Sequence, residues 1–411
     1  MIKTGKQPIS ILTYLAILSI CFVINLPGIA VTPMEGKLKQ LLDAPELEVQ
    51  LLTILPNFVI IPFVLLTGKL SLCRHKIPWI VFSLILYLLC GISYLIFDSI
   101  EALIITSCLL GCANGILIPF SMGFVVNTFY GKYRTQQLGV KSATSNLAVV
   151  FGSFAVGILI EGNNWHLPFI VYLAVIFPLA FSFWLKNVPG LSASSYVPHK
   201  KSDIGNDKKD INIKRVWELI VNNVCFSFIA MAVVIYLPQI IQGYGWRPEV
   251  AGDIIAVFFI FVLLAGFVLL PFIRLLKHYA FFGISLFLMS GLLLITFVHH
   301  HWALYVGSAL AGIAFGFFQP FVYDKTSYTV NNQTKTIVAL SYVLTALYTA
   351  IAVEPFIIKA ICYIFKIQNE NDFVFKLSFF LAIGYGFFAF IFRKKFIFSV
   401  EKEYITRPDE L

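Results

Sequence analysis

Twelve long apolar stretches are the feature that most limits how this 411-residue chain can fold. A helix needs about 20 mainly apolar residues to cross a membrane. The stretches of that length are 9–31, 47–68, 78–97, 101–129, 137–160, 165–186, 216–241, 249–273, 279–298, 302–327, 335–362 and 373–392. Only 12% of the residues are charged, whereas soluble domains carry about 25%. The sequence therefore predicts an all-α polytopic membrane protein with twelve transmembrane helices.

A polar stretch divides these segments into two sets of six. Residues 187–215 are rich in Lys, Asp, Ser and Asn, so they are too polar to span a membrane and are typical of a surface linker. We expect a six-helix bundle at 1–186, a cytoplasmic linker at 187–215, a second bundle at 216–393 and a cytoplasmic tail at 394–411.

One motif, G-x-x-x-G-x-x-x-P-F, occurs once in each half, and its two copies are 201 positions apart. Its glycines and prolines are Gly111, Gly115, Pro119, Gly312, Gly316 and Pro320. Two glycines four residues apart let another helix approach closely in lipid, and a proline favours a bend. The repeat predicts two pseudo-symmetric halves with matched packing sites. Two unrelated helices that both need glycine for packing are the alternative.

The positions of the basic residues predict the orientation of the chain. With the N-terminus in the cytoplasm, 24 of the 30 Lys and Arg residues lie on the inner side and 6 on the outer. Such a bias is typical of cytoplasmic loops. We therefore expect both termini in the cytoplasm and a location in the plasma membrane, or the inner membrane of a bacterium. Because topology explains the positive charge, we expect no nucleic-acid partner.

Two local motifs accompany a resemblance to the major facilitator superfamily that covers nearly the whole chain. The loop at 68–76 is similar to the family's short basic loop signature, with Leu72 and Cys73 at its acidic and following arginine positions. The fourth segment is similar to the family's R-x-x-x-G-x-x-x-G helix, with Ser107 in place of the arginine. The resemblance implies a transporter whose two halves rock about the membrane midplane.

A third motif points to one branch of that family. Residues 152–160, followed by 164–169, resemble the fifth-helix signature of the twelve-helix drug/proton antiporters. Ser153 and His166 stand at the proline and arginine positions of that signature. Residues 236–252 also look like the family's seventh and eighth helices. The resemblance implies proton-coupled efflux of small lipophilic compounds.

The fold implied by the resemblance places a site near the midplane, lined by helices 1, 4, 7 and 10. Amide side chains at that depth are our candidate substrate-binding residues, namely Asn25, Asn114, Gln239 and Gln319. A neutral amide can hydrogen-bond a substrate, but it can equally tie two helices together. Both interpretations stay open.

Glu354 is the candidate for proton coupling. It precedes Pro355 in an otherwise apolar part of the eleventh segment. Burial in an apolar cavity favours the neutral form of an acid, so Glu354 could take up and release a proton. A hydrated position near the outer interface is the alternative. Asp324 and Arg74, both near the predicted inner face, are candidates for gating, and Asp324 could instead be an interface anchor.

The sequence contains no nucleophile–base arrangement, phosphate loop or metal-ligand spacing, so we expect no enzyme, no cofactor and no metal. The expected partners are the lipid bilayer, a small-molecule substrate and protons, and the expected state is a monomer. Proton-coupled uptake or facilitated diffusion of a neutral nutrient is the main alternative to efflux. A non-transporting membrane receptor is a third hypothesis, and an intramembrane enzyme is a fourth that lacks paired catalytic residues.

Overall fold

The computed structural model describes residues 2–400 with several gaps. The gaps are 3, 5–7, 28–29, 32–33, 35–37, 39–40, 43–44, 74, 161–163, 189–209, 247–248, 299, 333–334 and 368. Arg74, a predicted gating residue, therefore lies outside the described residues, as do most of the predicted linker and the end of the predicted tail.

Each of the twelve predicted segments coincides with helical structure. The helices are α1 (Ile11–Val23), α2 (Glu46–Leu70), α3 (Ile77–Ile96), α4 (Ile100–Thr128), α5 (Lys132–Ile160), α6 (Leu167–Asn187), α7 (Ile213–Gly243), α8 (Glu249–Leu276), α9 (Ala280–Phe297), α10 (His301–Ser327), α11 (Thr336–Phe365) and α12 (Glu370–Ile391). The segment α6 is composite, since 3₁₀ turns at Leu167–Val175 and Ser182–Asn187 flank a short α-helix at Ile176–Phe181.

Most of these helices are long and apolar enough to cross a membrane. Within the described residues, 8 helical stretches meet that criterion, and one of them, Val250–Phe297, contains both α8 and α9. Helix α1 and the 54–70 part of α2 are shorter apolar helices. Helix α5 carries the basic residues Lys132, Arg134 and Lys141 in its first part. It begins as a polar helix and becomes apolar only further along.

The chain divides into two compact units. The first consists of Met1–Arg134, Thr144–Ile213 and Thr326–Tyr348, and the second of Thr135–Ala143, Lys214–Lys325 and Thr349–Leu411. Each unit thus holds most of one predicted bundle. A short piece near the start of α5 belongs to the second unit, and the first turns of α11 belong to the first. The bundle limits expected at 186, 215 and 393 stay predictions.

In the first unit, a glycine pair brings α4 against α2. A Cβ atom added at Gly111 would lie 2.7 Å from the carbonyl oxygen of Pro56, and one at Gly115 would lie 2.6 Å from the Cβ of Phe63. Neither position has room for a side chain, because real Cβ atoms do not approach other atoms so closely. Helix α4 continues through Pro119.

In the second unit, the other glycine pair brings α10 against α8 in the same way. A Cβ atom at Gly316 would lie 2.7 Å from the carbonyl oxygen of Val262, and one at Gly312 would collide with the carbonyl of Phe258. Helix α10 continues through Pro320. Helices 2 and 4 of the chain thus pack as helices 8 and 10 do, which is the pairing that two related six-helix halves require.

Candidate functional site

Asn114 lies between the two glycines of α4, and its side chain is only 3% exposed. Its Nδ2 donates a hydrogen bond of 2.8 Å to the carbonyl oxygen of Ile24, in the turn that follows α1. Helix α1 ends there because Pro27 has no N–H to continue the helical ladder. The Oδ1 of Asn114 has no hydrogen-bond partner among the described residues. One end of this amide therefore ties two helices together, and the other end is unused.

Three hydroxyl groups from other helices support the same stretch of α1 backbone. They donate from Ser145 to Cys21 (2.7 Å), from Tyr87 to Val23 (3.2 Å) and from Tyr172 to Pro27 (2.6 Å). Asn25, a predicted substrate-binding residue, is half-buried in this turn. Sequence reasoning missed the three hydroxyl groups, because a lone Ser or Tyr in an apolar helix has no spacing that identifies its partner. Together they hold the irregular part of α1 in one conformation.

Gln319 is the centre of a polar cluster in the second unit. It lies on α10, its side chain is 6% exposed, and its Nε2 is 3.2 Å from Asn223 Oδ1 and 3.1 Å from Ser227 Oγ on α7. Ser227 Oγ also donates to Asn223 Oδ1 at 3.4 Å. The Oε1 of Gln319 has no hydrogen-bond partner in the described part of the chain. We call Asn223, Ser227 and Gln319, together with Asn222, the residue that precedes Asn223 on α7, the amide cluster.

Asn222 bonds to α12. The hydroxyl of Tyr385 donates a 2.8 Å hydrogen bond to Asn222 Oδ1, whereas the Nδ2 of this buried amide has no partner among the residues described. Beside the cluster, the rings of Phe226 and Phe318 stack with centroids 3.7 Å apart. Ser227 and Tyr385 were not among the predicted candidates. The position of Ser227, one helical turn after Asn223, is the signal that could have found it.

Glu354 is fully buried on α11, with 0% of its surface exposed. Neither of its carboxyl oxygens has a hydrogen-bond partner among the described residues. Tyr236 on α7 is also buried, and its hydroxyl likewise has no hydrogen-bond partner among the described residues. A carboxylate without a partner is costly away from water, so this environment favours the protonated acid. Glu354 is therefore not at an exposed surface of the protein, and its role in proton coupling stays a prediction.

The remaining predicted residues occupy different surroundings. Gln239 lies on an exposed face of α7, outside the amide cluster. Asp324 is buried near the end of α10, where its Oδ2 accepts a 3.1 Å hydrogen bond from Thr135 Oγ1 on α5. The next residue, Lys325, donates to the carbonyl oxygen of Phe396 and to Ser399 in the segment after α12. The gating role of Asp324 stays a prediction.

The sequence matches a family model. The model described as Major Facilitator Superfamily matches residues 13–353, which is most of the chain. No curated protein matches the sequence.

Several solved structures share the fold. The proton:xylose symporter XylE has 12% sequence identity and a TM-score of 0.67, over 96% of this chain and 97% of that one. The E. coli fucose:proton symporter FucP has 13% identity and a TM-score of 0.67, over 92% of this chain and 97% of that one. The human organic anion transporter MFSD10 (TETRAN) has 14% identity and a TM-score of 0.64, over 90% of this chain and 98% of that one.

These matches confirm the predicted fold class, a helical membrane protein with the architecture of this superfamily. At such low identities the likeness to solved structures shows the fold alone. The matches do not single out the drug/proton antiporter branch, because two of the similar structures are proton symporters.

Proposed function

Because this chain belongs to the major facilitator superfamily, we propose that it is a proton-coupled transporter that carries a small uncharged molecule across a membrane by alternating access. The observation that carries the proposal is the environment of Glu354. The acid is fully buried, and both of its carboxyl oxygens lack a partner among the described residues. A structural acid would be hydrogen-bonded or hydrated, whereas an acid that binds and releases a proton must be stable without its charge.

The protonation of Glu354 would couple to the conformation of the protein. In the present state the neutral acid is accommodated, and its charged form would lack a partner in the described structure. Loss of the proton to water therefore favours a state in which the carboxylate reaches water or a donor. Binding the proton on one side and releasing it on the other would link the proton gradient to the movement of the cargo.

The amide cluster supports the assignment of an uncharged cargo. Its named contacts are all made by neutral amides and hydroxyls. An ionised cargo would need an opposite charge at such a buried place. We therefore assign the cargo site of the second unit to the amide cluster and the proton site to Glu354.

We also propose that the protein is a monomer of the plasma membrane with both termini in the cytoplasm.

Export of lipophilic compounds in exchange for protons is the second candidate. The observation that favours it is the aromatic packing of the second unit, where Phe226 stacks on Phe318 at 3.7 Å and Phe272 on Phe317 at 4.1 Å. Aromatic rings are the usual lining for lipophilic ligands. The two candidates share the proton site and differ in the chemistry of the cargo.

Proton exchange on ligand binding tests the proposal. The purified full-length protein is mixed in weakly buffered detergent solution with neutral polar solutes and with lipophilic compounds, and a pH-sensitive dye records proton release or uptake. With at least one compound we expect the wild type to release protons if cargo and proton exchange, or to take them up if they bind together, and we expect neither with Glu354→Gln. Glu101→Gln is the matched control, because Glu101 is exposed in the first turn of α4. Release or uptake of the same size by Glu354→Gln would exclude Glu354 as the proton site.

A further inference from the structure

We infer that Gln319 selects the cargo, because its Oε1 accepts a hydrogen bond from a hydroxyl or N–H group of an uncharged substrate. The inference rests on the proposed function, and it adds the chemical class of the molecule. It predicts a neutral solute with at least one hydrogen-bond donor, such as a polyol or a neutral amide, and it excludes a purely apolar compound.

The amide of Gln319 is held in one orientation. Its Nε2 has two hydrogens, and two acceptors, Asn223 Oδ1 at 3.2 Å and Ser227 Oγ at 3.1 Å, lie within hydrogen-bond distance. A side-chain amide carries its oxygen and its NH₂ group on opposite sides of one planar carbon. The position of the oxygen is therefore fixed by the two bonds on the nitrogen side. Gln319 thus presents its Oε1 as an acceptor in a fixed position, while both hydrogens of its Nε2 are already used.

The unused oxygen distinguishes a binding residue from a packing residue. The two bonds of Nε2 are enough to tie α10 to α7. They do not explain why the oxygen of the same amide is buried without a partner, which destabilises a protein by about 1–3 kcal/mol. Buried polar side-chain atoms generally have partners. The unpartnered Oε1 of Gln319 is therefore the atom for which a ligand group supplies the missing donor.

The neighbouring Asn222 refines the chemical class. Its Oδ1 accepts from Tyr385, and its Nδ2 has no partner in the described part of the chain. The amide cluster thus contains one unused acceptor and one unused donor. A hydroxyl group can donate or accept a hydrogen bond, so a solute that bears hydroxyl groups has the chemistry to satisfy either atom. Both atoms are shielded from solvent in this state, and the cargo would reach them when the helices around the cluster separate.

The first test uses matched pairs of solutes with the wild-type protein. Pentoses, hexoses, cyclic polyols and small neutral amides are added to the full-length protein in nanodiscs, and binding is measured as thermal stabilisation and by titration. Each solute that binds is then compared with its O-methyl or N-methyl derivatives, which lack one donor each. We expect at least one derivative to bind about ten-fold more weakly or worse. The inference is wrong if no donor-bearing neutral solute binds, or if every derivative binds as well as its parent.

The second test asks whether Gln319 is the acceptor for the donor group that the derivative lacks. The variant Gln319→Leu removes the acceptor, and Gln136→Leu is the matched control because Gln136 is exposed on α5. We expect Gln319→Leu to weaken binding of the parent solute about ten-fold and to abolish the difference between parent and derivative. If the full difference persists in a folded Gln319→Leu protein, another residue selects the cargo. If this variant does not fold, Gln319→Met replaces it, because Met keeps the length of the side chain without an amide.

The two proposals fail in different ways. If only lipophilic compounds bind, and their binding releases protons through Glu354, the selection by Gln319 is excluded while proton-coupled transport stands. If a polyol binds through Gln319 without any proton exchange, the cargo site stands and the coupling at Glu354 is excluded.

Discussion

At the scale of single residues, four buried polar groups of the first unit support the backbone around the end of α1. Asn114, Tyr87, Tyr172 and Ser145 each donate to a carbonyl group in or just after α1. Carbonyl groups freed near a proline must find other donors when no water reaches them. The irregular turn after α1 can therefore persist within an apolar bundle.

Removal of one of these donors should destabilise the protein measurably. In Tyr172→Phe the carbonyl oxygen of Pro27 loses its 2.6 Å hydrogen bond, and we expect a loss of about 1–3 kcal/mol in the free energy of unfolding. The measurement is thermal or denaturant unfolding in detergent. Tyr363→Phe is the matched control, because Tyr363 is 87% exposed. Equal stability of Tyr172→Phe and the control would show that this bond contributes nothing.

Lys76 gives a prediction for the pH dependence of stability. Burial lowers the pKa of its ammonium group, and the nearby Cys73 opposes part of that shift. Between the lowered pKa and about 10.4, the unfolded chain therefore binds more protons at this position than the folded protein does. The contribution of Lys76 to stability accordingly increases as the pH rises through this window.

Replacement of Lys76 should remove that increase. We expect Lys76→Met to be at least as stable as the wild type near neutral pH and to show a smaller rise toward about pH 10. Unfolding in detergent across this pH range measures it. Lys69→Met, at an exposed position, should leave the pH profile unchanged. A profile of Lys76→Met with the same slope as the wild type would contradict the prediction.

Residue type and position within an apolar segment are enough to identify Glu354 and Gln319 as candidates from the sequence, because a polar group in an apolar helix needs a reason to be there. They are not enough to identify the environment of those groups. Whether Glu354 is hydrated or sealed, and whether Gln239 is exposed, depends on the rotation of each helix. Ser227 follows Asn223 by one helical turn, which is a signal in the sequence, whereas Tyr385 lies on another helix and no spacing in the sequence links it to Asn222.

At the scale of helices, close glycine contacts decide which helices pack. Besides the repeated motif, Gly139 on α5 and Gly266 on α8 approach each other in the second unit. A Cβ atom at either glycine would collide with the carbonyl oxygen of the other. Neither glycine belongs to the G-x-x-x-G motif that the sequence analysis found. An isolated glycine has no spacing that reveals its partner, so this contact could not be predicted.

A side chain at this contact should separate α5 from α8. We expect Gly266→Ala to destabilise the protein by about 1–3 kcal/mol, because the facing atoms are backbone and cannot turn aside. Gly384→Ala on α12 is the matched control, since a Cβ atom there has no neighbour within 4 Å. The control should be neutral or slightly stabilised. Thermal unfolding of both variants measures the difference, and equal melting temperatures would contradict the expected collision.

The positions of the helices along the chain could be predicted from the sequence more closely than the places where a helix is interrupted or forms 3₁₀ turns. The lengths of the apolar segments predicted the ends of α3, α4 and α10 to within a few residues. The first segment, expected at 9–31, contains a helix that ends at Val23, because Pro27 interrupts it. The 3₁₀ turns of α6 were not predicted, since nothing in its apolar pattern distinguishes 3₁₀ from α-helical turns.

At the scale of the whole molecule, the presence of a buried acid and a separate group of neutral amides supports proton-coupled transport. The second unit holds a buried acid without a partner among the described residues and a separate cluster of neutral amides with unused hydrogen-bonding atoms. A transporter driven by protons needs both elements, because the gradient must act on one group while the cargo occupies another. If they are coupled, loss of Glu354 should remove accumulation but not binding.

Transport by proteoliposomes is the direct test of proton coupling through Glu354. Wild type and Glu354→Gln are reconstituted in parallel, and a solute that binds is followed under an imposed proton gradient and in exchange without a gradient. We expect gradient-driven accumulation by the wild type only, with exchange retained by Glu354→Gln. Accumulation by Glu354→Gln at the level of the wild type, under the same proton gradient, would contradict proton coupling through Glu354.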